Sequence, residues 1–271
     1  MSRSVPNRGG ESAISGFTRF RTFARSALRH ARPYVEQRTL IAVLLLSACG
    51  WAFAQLADET IEGETHAFDT AVLLALRNPA DSSDPLGPGW VQEFGRDVTA
   101  LGGIGVLAAL TLAVAGYLWL QGNRGSMWLV LASVAGGQAA STLFKLGFDR
   151  PRPDLVPHGS ITYTSSFPSG HAMMAAVTYL TLAVLLARVQ PRRTLKVYFL
   201  GVAVVVTLSV GVSRIYLGVH WPTDVLAGWA VGAGWALLCW TIARWLQRRG
   251  AIEPGKVEPS LAQPGAGLSD Q

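Results

Sequence analysis

The stretch SMWLVLASVAGGQAASTLF, residues 126–144, carries no charged side chain over 19 residues and runs straight into Lys145. A helix of that length, rising ~1.5 Å per residue, crosses nearly all of a ~30 Å bilayer core. Working outward, five more uncharged apolar runs appear at 39–57, 101–120, 172–187, 197–213 and 225–243. The two shortest, 172–187 and 197–213, reach spanning length by borrowing His171 and Arg188, and Lys196 and Arg214. Buried helices of a soluble protein are the alternative, but six at near-spanning length in one chain would be unusual. Half of the 271 residues are hydrophobic and 15% are charged, against about 25% in soluble domains. The expected fold is therefore all-α: an integral membrane bundle of six transmembrane helices over 39–246.

The charges set the expected orientation. Residues 1–38 hold eight Arg and two acids, Glu11 and Glu36. Most of the remaining Lys and Arg fall on the same side as that arm: Arg124, then Arg188, Arg192, Arg193 and Lys196, then Arg244, Arg248, Arg249 and Lys256. The positive-inside rule places these in the cytoplasm, with both termini, in a cell (inner) membrane. Trp119, Trp128, Trp221, Trp240 and Trp245 stand near run ends, where aromatic belts are expected. The net charge of +6 is thus a matter of topology, not of a nucleic-acid partner.

In the arm 1–38, Arg21, Arg25 and Arg29 alternate with aromatic residues, as in a basic amphipathic helix on anionic lipid. A disordered arm and a transit peptide are the other readings. Ala52-Phe53-Ala54 has the form of a signal-peptidase site, but the 38-residue basic arm before the run is long for a signal peptide. The loop 58–98 carries nine acids and two Arg and lies outside. Residues 68–76 and 90–98 are too short to span and fit short interfacial helices. Glu62, Glu64 and His66 are spaced as metal ligands might be, but a solvated acidic face explains them better. The Pro- and Gly-rich tail 247–271 is expected to be disordered. Cys49 and Cys239 sit inside apolar runs and read as small buried hydrophobes.

Six basic residues defy the orientation rule, and four of them fall in two short segments. Lys145-Leu-Gly-Phe-Asp149-Arg150-Pro151-Arg152-Pro153 crowds three cations at the membrane surface. Such a cluster repels itself unless it holds an anion, and Arg forks match phosphate oxygens. Snorkelling residues beside a turn are the bland alternative. Phe167-Pro168-Ser169-Gly170-His171 opens the fourth run. Ser169 suits an N-cap, Gly170 lets backbone approach a ligand, and a helix start attracts anions. Ser213-Arg214-x5-His220-x3-Asp224 spans the turn between the last two runs. Asp224 is four residues past His220, so its carboxylate can fix the imidazole tautomer. A structural His–Asp pair is the alternative. On the six-run topology all three segments share one outside face.

Lys145-x6-Arg152-Pro153, Pro168-Ser169-Gly170-His171 and Ser213-Arg214-x5-His220-x3-Asp224 together resemble the type 2 phosphatidic acid phosphatase (PAP2) superfamily at every fixed position. The resemblance implies a six-helix core shared with vanadium haloperoxidases, which are soluble. It implies a phosphatase or pyrophosphatase of lipid phosphates with no metal and no cofactor. His220 becomes the nucleophile, His171 the general acid, and Asp224 the orienting carboxylate. Lys145, Arg152, Ser169, Gly170 and Arg214 become the phosphate ligands. Expected substrates are phosphatidic acid, phosphatidylglycerol phosphate or undecaprenyl pyrophosphate, with a lean to the last from the compact chain and outward site. A lipid phosphotransferase and a membrane transporter are the competing functions. The uncharged runs speak against a transport path.

Overall fold

The computed structural model describes residues 37–155 and 164–248. The expectations for the basic arm before residue 37 and for the tail after residue 248 lie outside them. The chain divides into two units, 1–44 and 45–271. Of the first, the described part is 37–44, the opening turns of helix α1 (Gln37–Glu62).

After α1 come α2 (His66–Leu74), a hairpin of β1 (Arg77–Asn78) and β2 (Asp81–Pro85), and α3 (Gly89–Ala100). Then follow α4 (Ile104–Leu120), α5 (Arg124–Gly147), α6 (Gly170–Val189), α7 (Arg193–Tyr216) and α8 (Pro222–Arg248). Among the described residues five helices are long and apolar enough to cross a membrane: α1, α5, α6, α7 and α8. A sixth span arises if α3 and α4, bent by 46° at Leu101–Gly103, count as one. The second apolar run was expected to start at 101. In the structure 101–103 is the bend, and α4 keeps 17 residues.

Most helices outrun their apolar runs. α1 continues through Asp58, Glu59 and Glu62, and α7 includes Lys196 and Arg214. Hydropathy locates the bilayer core, whereas helices stop at capping signals. Gly122, at φ +73, closes the turn after α4. Asn123 caps α5 by accepting from the Ser126 amide at 3.2 Å. α8 starts on Pro222, whose lack of an N–H costs nothing there.

The core is built around α6, which packs on α5, α7 and α8. Ala172, Met173, Ala175, Ala176 and Val177 are almost fully buried. Close approach depends on glycines of α8. A Cβ on Gly228 would stand 2.7 Å from the Ser169 carbonyl oxygen, and one on Gly232 would stand 2.5 Å from that of Met173. Small residues let helix backbones meet where lipid offers no hydrophobic drive.

The loop 58–98 holds more structure than expected. The two short helices lie at 66–74 and 89–100, and the hairpin between them was not foreseen. Its strand DSSDP lacks the β-branched and aromatic residues that mark strands. Tertiary contacts hold it instead: Arg77 donates to the Tyr216 carbonyl at 2.7 Å, and the Tyr216 hydroxyl donates to the Leu86 carbonyl at 2.9 Å. Trp221 is no belt residue. It is 5% exposed and donates from its ring to the Pro151 carbonyl at 3.1 Å.

Candidate active site

The three segments singled out in the sequence meet at one end of the bundle. Lys145 stands in the last turn of α5. Arg150 and Arg152 follow on the extended segment after it. Ser169, Gly170 and His171 form the start of α6, Arg214 the end of α7, and His220 and Asp224 the entry to α8.

Local sequence explains the α8 entry. Asp224 Oδ2 accepts from the Trp221 amide at 2.9 Å, so the third residue of the helix reaches back over its own start. The same oxygen lies 3.4 Å from His220 Nδ1. Ser166, fully buried, donates to that oxygen through a short hydrogen bond and lies 3.4 Å from Nδ1. With a carboxylate facing Nδ1, the ring proton sits there and the lone pair sits on Nε2. Nε2 is 3.3 Å from Arg152 Nη1, which also donates to the Val219 carbonyl at 2.9 Å.

His220 is 1% exposed, and its pKa is pushed down to about 4. Burial is the main cause. Asp224 opposes it by hydrogen bond and charge, and Arg214 and Arg152 reinforce it. The imidazole is thus neutral at physiological pH, as a nucleophile must be. Burial also lowers the Arg152 pKa, partly offset by Asp224.

Arg152 and Lys145 also share a partner beside the imidazole, Thr164. Arg152 donates from Nε to the Thr164 carbonyl at 3.3 Å, and Lys145 Nζ donates to the Thr164 hydroxyl at 3.4 Å. A Cβ on Gly170 would stand 3.5 Å from Lys145 Cε, so Lys145 lies against the α6 start. His171 is within electrostatic reach of Arg214, His220, Lys145 and Arg152. Ser169 occupies the N-cap position of α6 but does not cap it; its hydroxyl is buried with no hydrogen-bond partner among the described residues. Arg214 Nε is buried and unpartnered as well. Two orphaned donors beside two further cations suit a tetrahedral oxyanion.

Arg150 departs from the sequence reading. It was counted with Lys145 and Arg152 in the cation cluster read as an anion site, yet its guanidinium is taken up by Asp69 and Asp224, at 2.6 and 2.5 Å. Asp69 and Ser166 were missed. Asp69 is a lone acid in a short apolar segment, and Ser166 stands in an unremarkable Thr-Ser-Ser sequence. Only the buried acid offered a signal, because an unpaired charge there is costly. Among the described residues no three His, Cys, Asp or Glu gather as metal ligands. His66 packs edge-on against Trp221, with ring centroids 5.7 Å apart.

A family model of the PAP2 superfamily matches residues 126–248, which contain all three segments. Phosphatidylglycerophosphatase B of Bacillus subtilis (strain 168) is 33% identical over 198 residues, covering 71% of this chain and 86% of that protein. The chain belongs to the PAP2 superfamily. Within that superfamily, lipid A 1-phosphatase of Rhizobium etli is 28% identical over 174 residues, 56% of this chain and 71% of that one. The crystal structure of a transmembrane PAP2 type phosphatidylglycerolphosphate phosphatase from Bacillus subtilis superposes with a TM-score of 0.63 at 25% identity. It covers 76% of this chain and 98% of that chain. The PAP2 chain described here is a multi-pass, mostly helical membrane protein of the phosphatase class, like these relatives.

Proposed function

We propose that this PAP2 protein hydrolyses the phosphate monoester of a membrane glycerophospholipid, phosphatidylglycerol phosphate foremost, through a phosphohistidine on His220. The observation that carries the reading is the junction of His220, Asp224 and Arg152. A neutral, buried imidazole presents Nε2 beside a guanidinium fork, while its other nitrogen faces a carboxylate.

In the first step the Nε2 lone pair attacks phosphorus, and the bond to the lipid oxygen breaks. His171, protonated once the substrate's negative phosphate lies beside it, gives its proton to that oxygen. The proton on His220 Nδ1 stays hydrogen-bonded to Asp224, which stabilises the cationic phosphoimidazole. In the second step neutral His171 takes a proton from water as the water oxygen attacks phosphorus. The P–N bond breaks, and its electron pair returns to Nε2. Lys145, Arg152, Arg214, the Ser169 hydroxyl and the Gly170 amide hold the equatorial oxygens, whose charge grows in the transition state.

The substrate assignment leans on the phosphatidylglycerophosphatase relative, most of whose length this chain covers. It replaces the lean to undecaprenyl pyrophosphate, which rested on a compact chain and an outward site. With both termini cytoplasmic, the site faces the extracytoplasmic leaflet of the cell membrane at headgroup level, where a lipid phosphate enters from the side.

The test is phosphate release by purified protein from phosphatidylglycerol phosphate, phosphatidic acid and undecaprenyl pyrophosphate, with and without the His220→Ala substitution. Preferred turnover of the first and at least a hundredfold loss in the variant are expected, since nucleophiles contribute on this order or more. Equal turnover by His220→Ala refutes the nucleophile. Transfer of labelled phosphate to a lipid hydroxyl instead of water would make the enzyme a phosphotransferase.

A further inference from the structure

Arg150 forks between two carboxylates that are both 0% exposed. Nη1 donates to Asp224 Oδ1 at 2.5 Å and to the Thr223 hydroxyl at 2.8 Å. Nη2 donates to Asp69 Oδ2 at 2.6 Å and to the Thr65 hydroxyl at 3.1 Å. Asp69 also grips the start of α8 directly: Oδ1 accepts from the Thr223 amide at 3.0 Å and Oδ2 from its hydroxyl at 2.7 Å. Asp69 stands on α2, outside the stretch that the family model matches. Only two residues, Arg150 and Asp224, therefore stand between this loop residue and His220.

We propose that Asp69 and Arg150 are positioning residues for the nucleophile, acting through Asp224. The proposal rests on His220 being that nucleophile. The two oxygens of Asp224 have separate duties. Oδ1 belongs to Arg150, while Oδ2 serves Ser166, the Trp221 amide and His220 Nδ1. Pinning Oδ1 sets the plane of the carboxylate, and with it the direction in which Oδ2 meets the imidazole. The charges matter equally. Arg150 paired with Asp224 alone would neutralise the carboxylate that must balance a cationic phosphoimidazole. Asp69 shares the guanidinium, so two carboxylates around one cation keep one negative charge beside His220.

Other charges face the trio. Lys145, Arg152 and His220 lie within electrostatic reach of Asp224, and Arg214 and Arg152 within reach of His220. His66 stands on the far side of Trp221, whose ring centroid is 5.8 Å from the Arg150 guanidinium carbon. Those groups are common to every variant below, so differences between variants report the trio.

A mere tether of α2 to α8 and a positioning device predict different results. The experiment measures kcat/KM against pH for purified full-length protein in detergent, with the lipid phosphate that wild type turns over fastest. Arg150→Gln removes the cation that both buried carboxylates share and leaves their mutual repulsion unbalanced beside His220. The acid limb of its profile moves up by about one pH unit or more. Adding Asp69→Asn removes the repulsion, and the double variant's limb moves back toward wild type. Arg150→Lys keeps the charge without the fork: kcat falls while KM stays within about twofold. An unmoved acid limb in Arg150→Gln, or a double variant no closer to wild type than the single one, overturns the proposal. If Arg150→Gln does not fold, Asp69→Asn alone decides. A lower kcat at unchanged KM supports positioning, and an unchanged kcat overturns it. Wild-type protein that forms no acid-labile phosphoenzyme sinks the reading of His220 itself. A phosphoenzyme with a flat response to these variants sinks only the role of Asp69 and Arg150.

Discussion

His220 is held neutral by burial, and that has a consequence for stability as well as for chemistry. Unfolded, the imidazole takes a proton near its ordinary pKa of 6.5; folded, it does so only near 4. Between those values the unfolded chain binds more protons. The stability that His220 contributes is therefore full above pH 6.5 and drains away as pH falls through 4. The total is on the order of 3 kcal/mol. The thermal midpoint of the detergent-solubilised protein should drop more between pH 7.5 and 4.5 for wild type than for His220→Gln, which has no such proton to bind. Equal drops would show that the imidazole is not buried in neutral form. The motif residues were all legible in the sequence because their chemistry is written in side-chain type and spacing. Ser166 was not, because a serine reveals nothing until its hydroxyl is placed against a particular carboxylate.

At the scale of elements, the site depends on how closely α6 and α8 approach. The Ser169 carbonyl oxygen lies 2.7 Å from where a Gly228 Cβ would sit, and it belongs to backbone at the start of α6. Gly228→Ala must push the α6 start, with Ser169 and His171, away from the α8 start, with Asp224. Overpacking of this kind costs about 1–3 kcal/mol. Both the thermal midpoint and the turnover of purified Gly228→Ala should fall. Gly201→Ala on α7, where no atom lies within 4 Å, should leave both unchanged. A Gly228→Ala protein as active and stable as wild type would mean that the helices are not locked at this distance. Apolar runs revealed where each long helix crosses, since hydropathy is a local property of the chain. They misjudged the ends, as at α1 and α7, because charged residues end a lipid-facing stretch without ending hydrogen bonding. The break at Leu101–Gly103 was hidden for another reason. It fits around Val210 and His171, where a Gly102 Cβ would come within 2.5 and 3.4 Å of their side chains.

For the whole molecule, one end of the bundle gathers α2, the hairpin, the α3 start and every candidate catalytic group, while the turns at 121–123 and 190–192 lie at the other. The orientation proposed from the charge asymmetry puts the first end outside the cell membrane. Cysteine introduced at Ser82, exposed on β2, should react in intact cells with a maleimide that cannot cross membranes. Cysteine at Arg193, exposed at the opposite end, should react only after lysis. The reverse pattern would invert the protein and put its chemistry in the cytoplasm. The sequence alone determined the membrane setting and the family, and it singled out the candidate phosphate residues, because hydropathy and motif spacing are properties of neighbours along the chain. Only the tertiary structure decided what Arg150 does. A cation two residues from Arg152 looks like another phosphate ligand until folding brings Asp69, 81 positions away in sequence, against its guanidinium. Two buried carboxylates compete for that charge more strongly than a ligand at the rim can, and sequence spacing carries no trace of such a long-range pairing.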